Sequence, residues 1–273
     1  MVYLDSDAAV FFRDDTAPAV PALQFDSQGA QWMASARAAL PPPRQYATLG
    51  WFGGVTSPAP YERLGRALFL LGQPALARPW YEDARVAWPQ GFTAWALLGH
   101  LAATQRDYTA ALQYYDQAIA AAPKSADLRW RAGLAALQSG NGDAAARHAE
   151  IALRLAPNDW QKLALKGTAE LMRKNPAEAM VYLQSAIQRA PQPDPTLHRS
   201  LAKAQYLQHQ VDAAIASFER AWQLDPSDAS VATDLARIHA ERGDAASAHT
   251  WAERALHLDP NNAAARGILS TGH

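Results

Sequence analysis

Residues 94–123 read AWALLGHLAATQRDYTAALQYYDQAIAAAP. Apolar residues fall at helical spacing in two runs, first Trp95, Leu98 and Leu101, then Leu112, Tyr115 and Ile119, and the second run stops at Pro123. Proline pushes the residue before it out of the helical region, so Pro123 ends the second helix. Prolines recur at Pro89, Pro157, Pro191, Pro226 and Pro260, so the spacing is 34 residues with a single step of 35. A two-helix unit of this period cannot bury its apolar faces alone. It does so by stacking on its neighbours.

With each proline counted as position 32 of its unit, three further columns appear. Position 20 reads Ala77, Ala111, Ala145, Ala179, Ala214 and Ala248, and position 27 reads Ala84, Ala118, Ala152, Ala186, Ala221 and Ala255. Position 8 reads Gly65, Gly99, Gly133 and Gly167, then Ala202 and Ala236. Small residues at fixed points let two backbones approach closely, so these columns mark where the first helix of each unit (A) meets the second (B). Turn signals lie between the helices: SGNGD at 139–143, RKNP at 173–176 and ERGD at 241–244. Glycine there takes a left-handed C-terminal position and Asp or Asn caps the next helix.

The residues Trp95, Leu98, Gly99, Ala111, Tyr115, Ala118 and Pro123 stand at signature positions of the tetratricopeptide repeat, and the chain resembles that family over 58–91, 92–125, 126–159, 160–193, 195–228 and 229–262. The resemblance implies an all-α fold, an α-solenoid of six stacked antiparallel helix pairs (58–262) forming a right-handed superhelix. One column departs from the family. Its aromatic at position 11 is replaced by Leu68, Ala102, Ala136, Glu170, Gln205 and His239. The extra residue in APQPDPTL, 190–197, is either a bend or a tolerated loop insertion. Residues 1–57 carry Phe11, Phe12, Leu23, Phe25 and Trp32, too many large apolar groups for a free tail, and 27–40 reads as a helix. This segment is expected to pack on the solenoid, as a degenerate unit or a cap. Residues 263–273 give a short C-terminal cap or tail.

Composition narrows the function. The net charge is -1, with 25 basic and 26 acidic residues, so no global field recruits nucleic acid or a membrane surface. There are no cysteines, which removes disulfides and thiolate sites. The start, MVYLDSDAAVFFRDD, has acids where a signal peptide needs bases, and no apolar run is long enough to span a membrane. As given, the chain reads as cytoplasmic, with export or a periplasmic site left open if a leader has been removed. The 8 histidines form no HExxH motif, no GxSxG occurs, and GWFGG at 50–54 lacks the lysine of a phosphate loop. The chain reads as a non-enzyme without metal or cofactor.

Surface for binding remains. In the family the inner, concave wall is built from helix A positions 2, 5, 6, 9, 12 and 13. Carried onto this chain, its apolar part is Leu97, Trp130, Leu134, Leu137, Leu165, Leu171, Met172, Tyr206 and Leu207. Basic groups on the same wall are Arg63, Arg66, His100, Arg131, Arg199, Lys203 and Arg237, against Glu62, Asp127, Asp234 and Glu241. Helical spacing pairs Glu62 with Arg66 and Asp127 with Arg131, leaving Arg63, Arg199 and Lys203 as free bases. Positions 6 and 13 are equally able to pack on the neighbouring repeat. The site set is therefore Arg63, Leu97, His100, Trp130, Leu134, Leu171, Met172, Arg199, Lys203, Tyr206 and Arg237.

The resemblance implies a protein-interaction scaffold, or an assembly or chaperone factor, taking an apolar or amphipathic segment with acids beside it. Ala-, Arg- and Pro-rich usage looks bacterial, and bacterial relatives of this architecture assemble pili and secretion machines. Two rivals stay open: a self-assembling module, and the regulatory portion of a larger protein. The lysine and asparagine pattern that clamps chaperone tails is unmatched, with Glu62 and Arg66 in its place.

Overall fold

A computed structural model of the chain describes residues 2–4, 9–11 and 59–270. The helix expected over 27–40 and the docking of the N-terminal segment lie outside the described residues. Strands β1 (Val2–Leu4) and β2 (Ala9–Phe11) pair antiparallel with Tyr3 opposite Val10. Everything described from residue 59 onward is helix and turn. The chain divides into two compact units, Met1–Lys124 and Ser125–His273.

In the first unit α1 (Ala59–Leu70) pairs with α2 (Pro74–Ala87), and α3 (Phe92–Thr104) pairs with α4 (Tyr108–Ala121). Tyr61, Leu64, Leu68, Trp80, Tyr81, Leu98 and Leu101 form its core. In the second unit the pairs are α5 (Ala126–Gln138) with α6 (Gly142–Leu155), α7 (Trp160–Met172) with α8 (Pro176–Arg189), α9 (Pro195–Leu207) with α10 (Val211–Leu224), and α11 (Ala229–Glu241) with α12 (Ala245–Leu258). A short α13 (Ala263–Ser270) packs on α11 and α12, burying Ala265 and bringing Ile268 and Leu269 onto their core.

The proline period thus delivers six antiparallel A/B pairs, and the alanine columns lie where they meet. All twelve alanines at positions 20 and 27 are buried. The glycine column has a steric cause. A Cβ on Gly65 would lie 2.4 Å from the Tyr81 ring, on Gly99 2.8 Å from the Tyr115 ring, and on Gly167 2.7 Å from Leu183. Each of those partners sits at position 24 of the same unit. The unit at 126–159 has the small Ala149 there, and Leu165 from the next helix A fills the space, 2.5 Å from a Cβ on Gly133.

Each A/B turn closes by one rule. A residue in the left-handed region (Gly72, Arg106, Gly140, Lys174, His209 or Gly243) follows helix A. The next amide then donates back to the position 11 carbonyl, as in Asn175 N to Glu170 O at 2.8 Å and Gln210 N to Gln205 O at 2.9 Å. This satisfies a carbonyl that the helix end leaves open. The helix starts are capped by side chains: Asp107, Ser125, Asn141, Asp159, Asp194, Asp228 and Asp244 each accept from a backbone N–H of the first turn. Among the described residues no helix is long and apolar enough to cross a membrane.

Candidate functional site

The sequence-derived site residues divide between the two units. In the first, Arg63 is exposed on α1 and makes an interaction of its own. Leu97 is half-buried against the core of that unit. The His100 ring meets Phe69 with centroids 5.1 Å apart, which ties α1 to α3 through their A-helix faces. Phe69 was not among the residues singled out from the sequence, although it stands at wall position 12. Leu70, beside it at position 13, is strongly exposed.

In the second unit the A helices are α5, α7, α9 and α11. Trp130 on α5 is half-buried, with the Lys162 ammonium of α7 5.4 Å from its ring centroid and the Arg131 guanidinium at 5.9 Å. Lys162 is only 3% exposed. It donates to Asp127 Oδ1 at 2.7 Å and to Asp159 Oδ2 at 2.8 Å. Burial opposes its charge, yet these hydrogen bonds outweigh the burial and hold its pKa above the usual lysine value. Asp159 is held below the usual carboxylate range, since its bonds to Lys162 and to the Gln161 amide overcome its own desolvation.

Two expectations are corrected here. Asp127 does not pair with Arg131 one turn along; it reaches across to Lys162 of the next unit, and Arg131 lies against Trp130 instead. Nor are Arg199 and Lys203 free. Arg199 Nη1 lies 2.6 Å from Asp228 Oδ2, and Lys203 Nζ lies 3.6 Å from Asp234 Oδ2. The reason is periodic. Arg199, Lys203 and Tyr206 fall on one face of α9, and the repeat sets Asp228, Asp234 and Glu241 opposite them. The Tyr206 hydroxyl donates to Glu241, and Arg237 stacks on the Tyr206 ring at 4.8 Å while donating to Asp234 at 3.3 Å. The seam between α9 and α11 is thereby neutralised, and Asp228 is held below the usual range because its bonds to Ser230 and Arg199 exceed its desolvation.

The apolar part of the wall also divides. Leu165 is 2% exposed and belongs to the packing against Gly133, so it is core. Leu171 is half-buried against the cluster around Leu163 and Leu183. Leu134 remains 36% exposed, Met172 42% and Leu207 52%. Met172 lies over the first turn of α6, where a Cβ on Gly142 would be 3.0 Å from its Cγ. An open depression of about 340 Å³ is lined by Tyr206, Leu207 and Val211 on one side and Ile238, Glu241 and Arg242 on the other.

Behind the wall, position 11 carries polar residues with partners. Glu170 is fully buried and accepts from Lys166, Arg173 and Asn175 at 2.6, 3.0 and 2.9 Å. Gln205 accepts from the Ser217 hydroxyl at 2.7 Å, and His239 Nδ1 lies 3.1 Å from Asp244. The spacing of Lys166 and Glu170 within KLALKGTAELM was a legible helical pair; its burial was not.

Profiles described as tetratricopeptide repeat match residues 62–126 and 130–195 in one case and 206–270 in another. No curated protein matches the chain. Among solved structures it is similar to a chain of the Cut9–Hcn1 hetero-tetramer of the APC/C, at 19% identity, covering 79% of this chain and 43% of that one with a TM-score of 0.69. It is similar to PilW, a widely conserved type IV pilus biogenesis factor, at 18% identity over 77% of this chain and 96% of that one, TM-score 0.68. It is also similar to YrrB, a TPR protein with an unusual peptide-binding site, at 18% identity over 70% and 97%, TM-score 0.54. At these identities the likeness is one of fold.

Proposed function

We propose that this chain, which belongs to the tetratricopeptide repeat family, is a non-catalytic scaffold that takes an apolar or amphipathic protein segment against the A-helix faces of its 125–273 unit. The family's fold is in general a protein-interaction scaffold; the apolar preference is the part proposed. The observation that carries it is the accessibility of Leu134, one turn along α5 from the half-buried Trp130, and of Met172 at the end of α7, on a unit where Lys162, Arg199 and Lys203 are paired with acids. A partner gains there by burying apolar surface rather than by supplying charge. PilW shares the fold, and an assembly or chaperone role is the specific form we favour.

The test is affinity capture by the full chain with identification of the bound protein, repeated with Trp130→Ala and with Leu134→Ser. A partner whose affinity falls by about thirtyfold or more in Trp130→Ala supports the reading, since aromatic anchors dominate binding energy. A partner indifferent to both changes places binding elsewhere and overturns it.

A further inference from the structure

The depression between α9, α10 and α11 sits where two A helices end, with Leu207 and Glu241 as their last residues. Ile238 at its base is fully buried, and Val211 and the Tyr206 ring add apolar surface. Leu207 projects at its edge, more than half exposed. Such a surface suits an alkyl chain or a ring rather than water.

The charges around it have a definite sense. Arg242 is held by Asp212 at 2.6 Å, and Arg237 lies on the Tyr206 ring and donates to Asp234. Glu241 is the acid that lines the depression; the Tyr206 hydroxyl donates to it, Arg237 pairs with its other oxygen at 3.4 Å, and its side chain stays about half exposed. The hydrogen bond to Glu241 keeps the Tyr206 hydroxyl above its ordinary pKa, so it stays a donor. The C-terminal ends of α9 and α11 both add partial negative charge. His209 lines the depression from the left-handed turn position after α9. Both charged groups of the lining have a partner, Glu241 in Arg237 and Arg242 in Asp212, and the two helix ends tip the balance toward a cation.

We propose that this depression is a subsite for a lysine or arginine side chain of a protein partner, its alkyl stem lying along Tyr206, Leu207, Val211 and Ile238 and its cationic head at Glu241. Long basic side chains bury their stems on apolar surface and keep the head at a polar edge, which matches this arrangement. The subsite rests on the reading of the chain as a protein-binding scaffold and refines it: the partner carries a base at this point, in addition to the apolar residues that meet the wall around Trp130.

The experiment uses the full chain and amide-resolved NMR titration with three small probes: N-acetyl-arginine methylamide, N-acetyl-norleucine methylamide and N-acetyl-aspartate methylamide. The arginine probe is expected to shift the amides of 208–211 and 238–242 and to bind about threefold or more tighter than the norleucine probe, the scale of a single exposed charge pair. That preference shrinks at high salt. Glu241→Gln, which still accepts from Tyr206, should bring the arginine probe to the norleucine level, whereas Arg242→Gln should leave its binding equal or tighter. Equal binding of arginine and norleucine, preference for the aspartate probe, weakening by Arg242→Gln, or no shifts at these residues would each overturn the subsite. None of these outcomes bears on Trp130, whose role is read by the capture experiment.

Discussion

The Lys166 ammonium donates a 2.6 Å hydrogen bond to Glu170, one turn along α7, and Glu170 is completely buried. The carboxylate occupies the position where the family has an aromatic ring, so an ion pair stands in for a packing group. Arg173 and Asn175 complete the shell of donors around it. Burial opposes the charge of Glu170, and the bonds from Lys166, Asn175 and Arg173 overcome it, leaving its pKa below the usual range. A buried carboxylate is tolerable only with such partners.

Removing one member should therefore be far costlier than removing both. Glu170→Ala is expected to destabilise the protein by about 3 to 5 kcal/mol, because Lys166 is left buried without its main partner. The double change Lys166→Met with Glu170→Met should restore most of that loss. Thermal and urea unfolding of the three proteins read the effect; additive losses would show that the pair acts as two independent groups.

Stability should depend on pH in two steps. Burial and the nearby Arg220 hold His198 below the usual histidine value, so its contribution is present above about pH 6.5 and is lost as pH falls through the lower folded value. Asp159, Glu170 and Asp228, all held low, contribute stability that is present above about pH 4 and lost as pH falls through their folded values. Glu62, raised by burial, works in the opposite direction and blunts the second step. Melting temperature followed from pH 8 to pH 3 should fall gently below about pH 6.5 and steeply below about pH 4, and His198→Gln should flatten the first decline.

The glycine column should grade by the stiffness of its neighbour. Gly65→Ala and Gly99→Ala drive a methyl into tyrosine rings at 2.4 and 2.8 Å, and each is expected to cost about 1 to 3 kcal/mol despite the helix propensity gained. In Gly133→Ala the methyl meets the end of Leu165, which can rotate, so its cost should be smaller. Ala118→Leu, at a fully buried contact, belongs with the severe group. Urea midpoints at constant m-value check the order.

The paired seam changes what the bases of α9 should do. Charge reversal by Arg199→Glu with Lys203→Glu sets acids against Asp228 and Asp234, so it should lower the melting temperature, most of all at low salt. Binding of a captured partner should depend weakly on salt, while Trp130→Ala should cost about 2 kcal/mol or more at every salt concentration. Strong salt dependence with an intact Trp130 contribution would mean that Arg199 and Lys203 leave their partners on binding.

What the residues alone determined is local and periodic. Helix spacing, the proline period, the alanine columns and the capping Asp, Asn and Ser residues specify six A/B pairs because each depends on backbone geometry within a few residues or on a contact that recurs at every step. The same reasoning paired Asp127 with Arg131 and left Arg199 and Lys203 free, since it could compare only residues one turn apart on one helix. Tertiary structure decided otherwise. Stacking brings residues about 30 to 35 positions apart side by side, so Asp127 meets Lys162, Arg199 meets Asp228, and Tyr206 meets Glu241. It also assigned Leu165 to the core, where it fills the space over Gly133 that the small Ala149 leaves, and it left Met172 exposed. Which wall residue packs and which stays available depends on the volume of a neighbour in another unit, and no single unit's sequence carries that volume.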